Sequence, residues 1–297
     1  MLQTESTVDM SIWGRVVSSR TWRTLRTATW LEWQSQGNWT NPWLFLLYLV
    51  AKPLTSALVL IFMYWVISGF SSHGGLFGFL IVGSAAWNFV EQLFTGLPIA
   101  VLDDREQYAM LKYVYIAPQS FVMFLIGRSM PRILAGFLSF VIILSFGVVI
   151  LGVPIDLRHV NYLLLVFTLI FGFLAIGAMA IALAGLVLMM QRGAWTMPEA
   201  MTGALYVVAG VIFPLGILPG WVEKIALVMP LTYWVELVRR ALLGGAVGAS
   251  FPVASTLDVM SLLVLTTLVM TVVCVWVFRV CDRVARERGQ IDRTTSY

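Results

Sequence analysis

The chain has 297 residues, of which 60% are hydrophobic and 11% are charged, and its mean hydropathy is +0.89. A soluble globular protein carries about 25% charged residues, so this chain has too little charge to cover a water-facing surface. The composition predicts a membrane protein. It excludes a soluble enzyme, a disordered regulator and a nucleic-acid-binding domain, in spite of the net charge of +4.

The N-terminal stretch, residues 10–36, mixes tryptophans with arginines and predicts an amphipathic helix lying at the membrane surface. Asn41 and Pro42 are expected to end it. No basic region followed by a short apolar stretch precedes this helix, so a cleaved signal peptide is not expected. The first span is therefore expected to act as the insertion signal.

Six apolar stretches follow, each long enough to cross the ~30 Å hydrocarbon core of a bilayer as a helix. They are residues 43–70, 75–102, 132–153, 162–190, 199–218 and 257–280. The sequence thus predicts an all-α membrane protein with six transmembrane helices. Its parts are a cytosolic N-terminal segment (1–41), a transmembrane domain (42–281) and a cytosolic tail (282–297).

Most of the 19 lysines and arginines fall in segments on the same side of the membrane as the N-terminus. The four expected on the opposite side are Arg158, Lys224, Arg239 and Arg240. By the positive-inside rule, both termini are predicted to be cytosolic. The basic balance is explained by this topology and by contact with anionic membrane lipids, so no nucleic-acid partner is expected.

A short cytosolic helix is predicted over residues 103–118, between the second and third spans. Asp103 resembles an N-cap with Glu106 three residues later, as in a capping box, and Pro118 closes the segment. Farther along, Arg128 and Arg132 flank Pro131. They are predicted to anchor the start of the third span by extending to the cytosolic interface.

The outside segment between the fifth and sixth spans, residues 212–245, is too apolar for a solvated loop. Pro214, Pro219 and Pro230 interrupt it too often for a single span. We therefore predict a re-entrant or interfacial helical hairpin, whose freed backbone groups must find partners in protein or interfacial water.

Catalytic motifs are missing from the sequence. The two histidines, His73 and His159, lie outside any HExxH pattern, and no G-x-S-x-G is present. None of the three lysines follows a glycine, as the lysine of a phosphate-binding P-loop does. We expect no catalytic residue, metal site or ATP-binding site on this chain.

Lys52 and Glu91 are the clearest charges inside predicted spans, where each costs several kcal/mol unless it is paired or hydrated. Both lie about 15–18 Å from the cytosolic end of their helices, at 1.5 Å per residue. One hypothesis is a buried ion pair, with Asn88 one turn away, that braces the first two spans or lines a polar route. The alternative is two unrelated side chains, with Lys52 extending to the interface and Glu91 protonated.

Two segments resemble a known family, the type-2 ABC export permeases. Residues 213–242, FPLGILPGWVEKIALVMPLTYWVELVRRAL, resemble its signature F-P-x-x-x-L-P-x-W, a hydrophobic stretch and then P-L-T-Y/H. Residues 102–120, LDDREQYAMLKYVYIAPQS, are similar to the family's segment before the third span. They depart from it around Gln107 and Tyr108, where the family has Gly-Thr. With the predicted spans, the resemblance covers nearly the whole chain.

The resemblance implies an export permease of the bacterial plasma membrane. Its substrate would be a hydrophobic drug, a lipid-like amphiphile or a lipid-linked glycan. Two six-helix halves, either two copies of this chain or this chain and a similar one, would form the pathway. A separate ATPase subunit would dock on the cytosolic side and carry ATP and Mg, so no cofactor is expected here.

The resemblance also implies roles for two sets of residues. The coupling helix in contact with the ATPase would comprise Asp103, Asp104, Arg105, Glu106, Gln107, Tyr108, Leu111 and Lys112. The extracellular gate hairpin would comprise Pro214, Pro219, Trp221, Pro230, Thr232, Tyr233, Glu236 and Arg239. The alternative function is a secondary transporter driven by an ion gradient without an ATPase, with Glu91 as the titrating group.

Overall fold

Helices account for every regular element that the computed structural model describes, in residues 9–37, 42–67, 75–153, 160–190, 192–244, 251–253 and 255–290. They are α1 (Asp9–Gly37), α2 (Pro42–Ile67), α3 (Gly75–Phe94), α4 (Gly96–Glu106), α5 (Leu111–Ile116), α6 (Phe121–Val149), α7 (Tyr162–Met189), α8 (Met197–Val208), α9 (Gly220–Val228), α10 (Pro230–Leu243) and α11 (Thr256–Glu287). A 3-10 turn, Leu215–Ile217, separates α8 from α9. The all-α prediction is confirmed for these residues, while Asn41 lies outside them.

Five stretches of the described chain are long and apolar enough to cross a membrane. They are Leu49–Val66, Phe77–Glu106, Phe121–Val149, Tyr162–Met189 and Thr256–Glu287. Each overlaps one of the six predicted spans, so the multi-pass character of the chain is confirmed. The last helix continues past the predicted boundary at residue 281.

The continuous helix predicted over residues 199–218 is wrong, and a sixth span is therefore not confirmed. α8 has 12 residues, which extend about 18 Å against the ~30 Å of a hydrocarbon core. The chain turns at Gly210, whose φ of +70° is readily adopted only by glycine. Pro214 follows and has no backbone N–H with which to continue a helix.

The capping box predicted at Asp103 is also wrong. α3 and α4 form one nearly continuous span, because α4 begins two residues after Phe94 and runs on to Glu106. Asp103 lies in the last turn of α4, and its backbone carbonyl accepts the N–H groups of Gln107 and Tyr108 at 2.9 Å each. The separate helix, α5, begins only at Leu111.

The third span begins at Phe121, eleven residues before the predicted start, and passes through Pro131. A proline inside a helix leaves the carbonyl four residues earlier, here that of Gly127, without its N–H partner. The Thr29 hydroxyl of α1 donates to this carbonyl at 3.1 Å. A Cβ on Gly127 would lie 2.6 Å from the Cβ of Ala28. α1 and α6 therefore approach closely enough for the Thr29 hydroxyl to reach the Gly127 carbonyl.

The segment after α8 folds back among the membrane helices. α10 is buried from Pro230 to Leu242 and packs against α3, α7 and α11. Its Trp234 is fully buried, and a Cβ on Gly172 of α7 would overlap the Trp234 ring. α10 therefore lies inside the bundle.

Candidate functional site

The turn from α4 into α5 carries the residues predicted to contact an ATPase. Of those eight, Asp104, Arg105 and Leu111 are buried, whereas Gln107 and Tyr108 are exposed. The other three, Asp103, Glu106 and Lys112, are intermediate. The segment therefore has an inward-facing set and an outward-facing set, with three residues between them.

Two exposed apolar side chains extend the outward-facing set along α5. Tyr113 is 66% exposed and Ile116 is 79% exposed, and both lie on the face opposite the buried Leu111 and Val114. Together with Tyr108 they form what we name the docking face (Tyr108, Tyr113 and Ile116). Tyr113 and Ile116 were not predicted from the sequence, although their i, i+3 spacing opposite the apolar Leu111 and Val114 indicates a second apolar face.

The base of this turn is fixed to the C-terminal end of α7. Arg105 Nη1 donates to the carbonyls of Leu188 at 3.3 Å and Met190 at 3.5 Å, which places a cation where a helix leaves its last carbonyls unpaired. Arg105 Nη2 also lies 2.7 Å from Glu106 Oε1. Glu106 Oε2 accepts the Trp195 indole N–H at 2.8 Å. The turn is therefore held to both α7 and the chain leading into α8.

α5 is fixed to the end of α11 by a second contact. The Tyr115 hydroxyl donates to Asp282 Oδ1 at 2.7 Å, and Arg286 pairs with Asp282 Oδ2 at 2.8 Å. Burial, reinforced by the hydrogen bond to Asp282, raises the pKa of the Tyr115 phenol above its usual range. The phenol is therefore neutral at physiological pH and acts as the donor.

Four charges join α1, α4 and α6, and we name Glu32, Asp104, Arg128 and Arg132 the charge cluster. Three of them are buried, and the Arg132 side chain is 14% exposed. Arg128 Nε lies 3.1 Å from Glu32 Oε2, and Arg128 Nη2 lies 2.9 Å from Asp104 Oδ1. Arg132 Nη2 lies 2.6 Å from Glu32 Oε1. The two cations and two anions balance, which is the condition under which charges are tolerated away from water.

The predicted role of Arg128 and Arg132 as interface anchors is therefore wrong. Both guanidiniums turn inward because two carboxylates are available there. Arg132 reaches Glu32 past Gly96, where a Cβ would overlap the guanidinium. Glu32 was missed from the sequence, yet it lies four residues after Ala28 and eight after Thr24 on the buried stripe of α1.

The hairpin is held closed by Arg239. Its Nη1 donates to the Gly210 carbonyl at 3.0 Å and its Nη2 to the Val211 carbonyl at 2.7 Å. The guanidinium carbon lies 3.4 Å from the centre of the Phe79 ring, a cation–π contact. A Cβ on Gly83 would lie 2.5 Å from the Val211 carbonyl. Arg239 thus satisfies the two carbonyls freed where α8 ends and fixes them to α3.

The other predicted hairpin residues serve mainly to start and join the helices. Pro214 precedes the 3-10 turn, Pro219 precedes α9, and Pro230 is the first residue of α10, where a proline is tolerated. The Tyr233 hydroxyl donates to the Leu227 carbonyl at 2.6 Å. Trp221 is exposed.

The remaining two, Thr232 and Glu236, are buried. Glu236 Oε1 accepts from Arg240 Nε at 2.8 Å, and Arg240 Nη2 donates to the Val253 carbonyl at 2.7 Å. The hairpin is thereby connected to the chain that precedes α11.

Lys52 and Glu91 lie together, with 3.5 Å between Lys52 Nζ and Glu91 Oε1. Their side chains are 47% and 34% exposed, so this pair is less buried than the sequence hypothesis assumed. One turn away the Asn88 amide donates to the Ser56 hydroxyl at 3.1 Å. These groups form a polar strip between α2 and α3 on a surface that is otherwise apolar.

One protein-family model matches a stretch of the chain that includes both the docking face and the hairpin. The family model described as ABC-2 type transporter matches residues 23–243, from α1 through α10. The chain belongs to the ABC-2 type transporter family. The resemblance seen in the sequence is confirmed, and the chain is a multi-pass membrane permease of an ABC transporter. A search of curated proteins finds no match.

In this ABC-2 transporter chain, the roles of the two predicted segments stay predictions, and the distant residues that hold the turn after α4 and the charge cluster in place were not predicted from the sequence. Glu32, Trp195 and Asp282 each bind a residue that lies far away in sequence. No group of three or more possible metal ligands occurs in the described part of the chain, and His73 and His159 lie outside it.

Proposed function

We propose that this chain is the membrane subunit of an ATP-driven exporter in which a separate ATPase docks against the docking face. The observation that carries the proposal is the position of the turn from α4 to α5. It presents exposed apolar side chains outward, and its inner side chains are fixed to α7, the chain before α8, and α11.

Those contacts make the turn suitable for transmitting movement. A push on Tyr113 or Ile116 reaches α11 through the hydrogen bond from Tyr115 to Asp282. The same push reaches α7 through Arg105. Because packed helices move as rigid bodies rather than deform continuously, displacement of this turn is expected to reorient the helix ends together.

A second copy of the chain, or a similar permease, is proposed to complete the pathway. Most of Leu49–Val66 in α2 is not buried within this chain, in contrast to Phe77–Glu106. The half-exposed pair of Lys52 and Glu91 lies between these two spans. Charges in a span usually face protein or a water-filled route rather than lipid, which supports placing this surface towards the other half.

The proposed cargo is a hydrophobic drug, a lipid-like amphiphile or a lipid-linked glycan, and the proposed site is the bacterial plasma membrane with both termini cytosolic. The distribution of lysine and arginine supports this orientation. The polar strip of Lys52 and Glu91 on an apolar surface suits a cargo that has both apolar and polar parts. Family membership does not favour the alternative of transport driven by an ion gradient alone.

Site-specific photo-cross-linking tests the docking face. A benzophenone amino acid in place of Tyr113 or Ile116 is expected to cross-link to the ATPase encoded by a neighbouring gene when the two are co-expressed. The matched control is the same group at Val149, which is equally exposed but lies at the other end of α6. Cross-links from Val149 alone, or from none of the three positions in a complex that co-purifies, would refute the docking assignment.

A further inference from the structure

A groove of about 1000 Å³ runs along α1 where this helix lies beside α6. The lining residues that matter to its chemistry are Trp22, Arg23, Arg26, Trp30, Trp33 and Met130. They lie on the face of α1 opposite the stripe of Thr24, Ala28 and Glu32, which is buried against the bundle. The groove is thus built from the side of α1 that the fold leaves uncovered.

The groove carries positive charge. Arg23 and Arg26 are exposed, and neither has an ion-pair partner among the residues that the structure describes. Glu32 is the one acidic residue in positions 21–37, and its carboxylate is engaged by Arg128 and Arg132 on the opposite face. The complementary ligand is therefore an anion.

The same groove is strongly apolar. Trp22, Trp30 and Trp33 are each more than half exposed, and Met130 of α6 adds a further apolar surface. Exposed tryptophans at this density are typical of the membrane–water interface, where the indole ring lies at the level of the lipid headgroups. Small-molecule sites range from about 300 to 1000 Å³, so this groove has room for a ligand larger than a simple inorganic anion.

We propose that this groove binds an anionic phospholipid of the cytosolic leaflet. The phosphate is held by Arg23 and Arg26, and the apolar part lies against the tryptophans. The charge complementarity and the apolar lining occur together on one helix face, which suits a lipid better than either a free anion or a neutral apolar molecule.

Native mass spectrometry of the full-length chain in detergent tests the proposal. The purified chain is mixed with phosphatidylglycerol or with phosphatidylcholine of identical acyl chains, and bound lipids are counted. The wild-type chain is expected to favour phosphatidylglycerol. Because each cation near a lipid surface strengthens the attraction about fivefold, the Arg23→Gln/Arg26→Gln variant is expected to lose about 30-fold of that preference. Arg26→Gln alone is expected to lose about fivefold.

Matched controls distinguish binding in this groove from general attraction to the positive charge of the chain. Arg279→Gln/Arg283→Gln removes two exposed cations from α11 instead and is expected to leave the preference unchanged. Inorganic phosphate in millimolar excess is expected not to displace the lipid. Equal binding of both lipids to the wild-type chain would overturn the proposal. So would an equal loss in the α11 control, or displacement by free phosphate. Loss of ATPase co-purification in the α1 variant, with lipid binding unchanged, would instead assign the groove to a protein contact.

Discussion

Arg128→Met is expected to destabilise the folded chain by about 3–5 kcal/mol, the range for breaking a buried ion pair by removing one partner. Arg128 is the residue that contacts both Glu32 and Asp104, and it also donates to the Ala100 carbonyl at 3.2 Å. Without it, one buried carboxylate has lost its ion-pair partner and the other must rely on Arg132. The loss is a large fraction of the ~5–15 kcal/mol that stabilises a folded domain.

The midpoint of thermal unfolding in detergent measures this effect. Arg128→Lys keeps the charge, but the lysine ammonium lacks the planar guanidinium that contacts both carboxylates. An unfolding midpoint between those of the wild-type chain and Arg128→Met is therefore expected. Arg279→Met, on the exposed face of α11, is the control and is expected to change stability by less than about 0.5 kcal/mol. If Arg128→Met unfolds at the wild-type temperature, the charge cluster does not join α1 to α4 and α6.

Arg239→Met is expected to loosen the hairpin without unfolding the rest of the bundle. The carbonyls of Gly210 and Val211 would lose their donors, and each unpaired buried group costs about 1–3 kcal/mol. The contact with Phe79 is lost as well. The turn between α8 and α9 should therefore open more often than in the wild-type chain.

Hydrogen exchange followed by mass spectrometry reads out this opening. Amides in residues 209–217 and 229–243 are expected to exchange at least tenfold faster in Arg239→Met, since about 1.4 kcal/mol corresponds to tenfold. Lys224→Met removes a cation from the exposed face of α9 and is expected to leave exchange in these peptides unchanged. Equal exchange in wild type and Arg239→Met would show that Arg239 does not hold the hairpin.

Apolar periodicity and length were enough to predict five spans, because a helix in a bilayer must be long and apolar wherever it lies. They failed at residues 199–218, where composition was suitable but Gly210 turns the chain. They failed again at the third span, which was predicted to start at Arg132 and starts at Phe121. Pro131 lies inside α6, where Thr29 of another helix supplies the donor that the Gly127 carbonyl lacks, and no local pattern contains that information.

For the candidate sites, too, local sequence features were predictive and contacts between distant residues were not. The prolines and the charged segment marked where the hairpin and the turn after α4 lie. Which side chains face inward depended on partners distant in sequence, such as Glu32 for Arg132 and Asp282 for Tyr115. Asp103 was predicted as the cap at the start of a helix, whereas it lies in the last turn of α4. Its neighbour Asp104 is buried against Arg128 of α6.

We expect the turn from α4 to α5 to transmit ATPase movement through α7 and α11 to the hairpin, because α10 of the hairpin packs against both helices. A distance measurement between spin labels tests it, with Trp221→Cys labelled in both copies of the assembled transporter; Trp221 is exposed on α9. The two native cysteines, Cys274 and Cys281, are buried and are replaced by alanine. Distances are compared with and without a non-hydrolysable ATP analogue.

The comparison variant is Glu106→Gln/Tyr115→Phe, which weakens the contacts to Trp195 and Asp282 but leaves the docking face intact. The account predicts that the nucleotide analogue shifts the label-to-label distance in the parent chain. The shift is expected to be smaller in the variant, which keeps the contact from Arg105 to α7, although the ATPase still binds. A nucleotide-dependent shift of equal size in both, or no shift in the parent complex, would contradict the account.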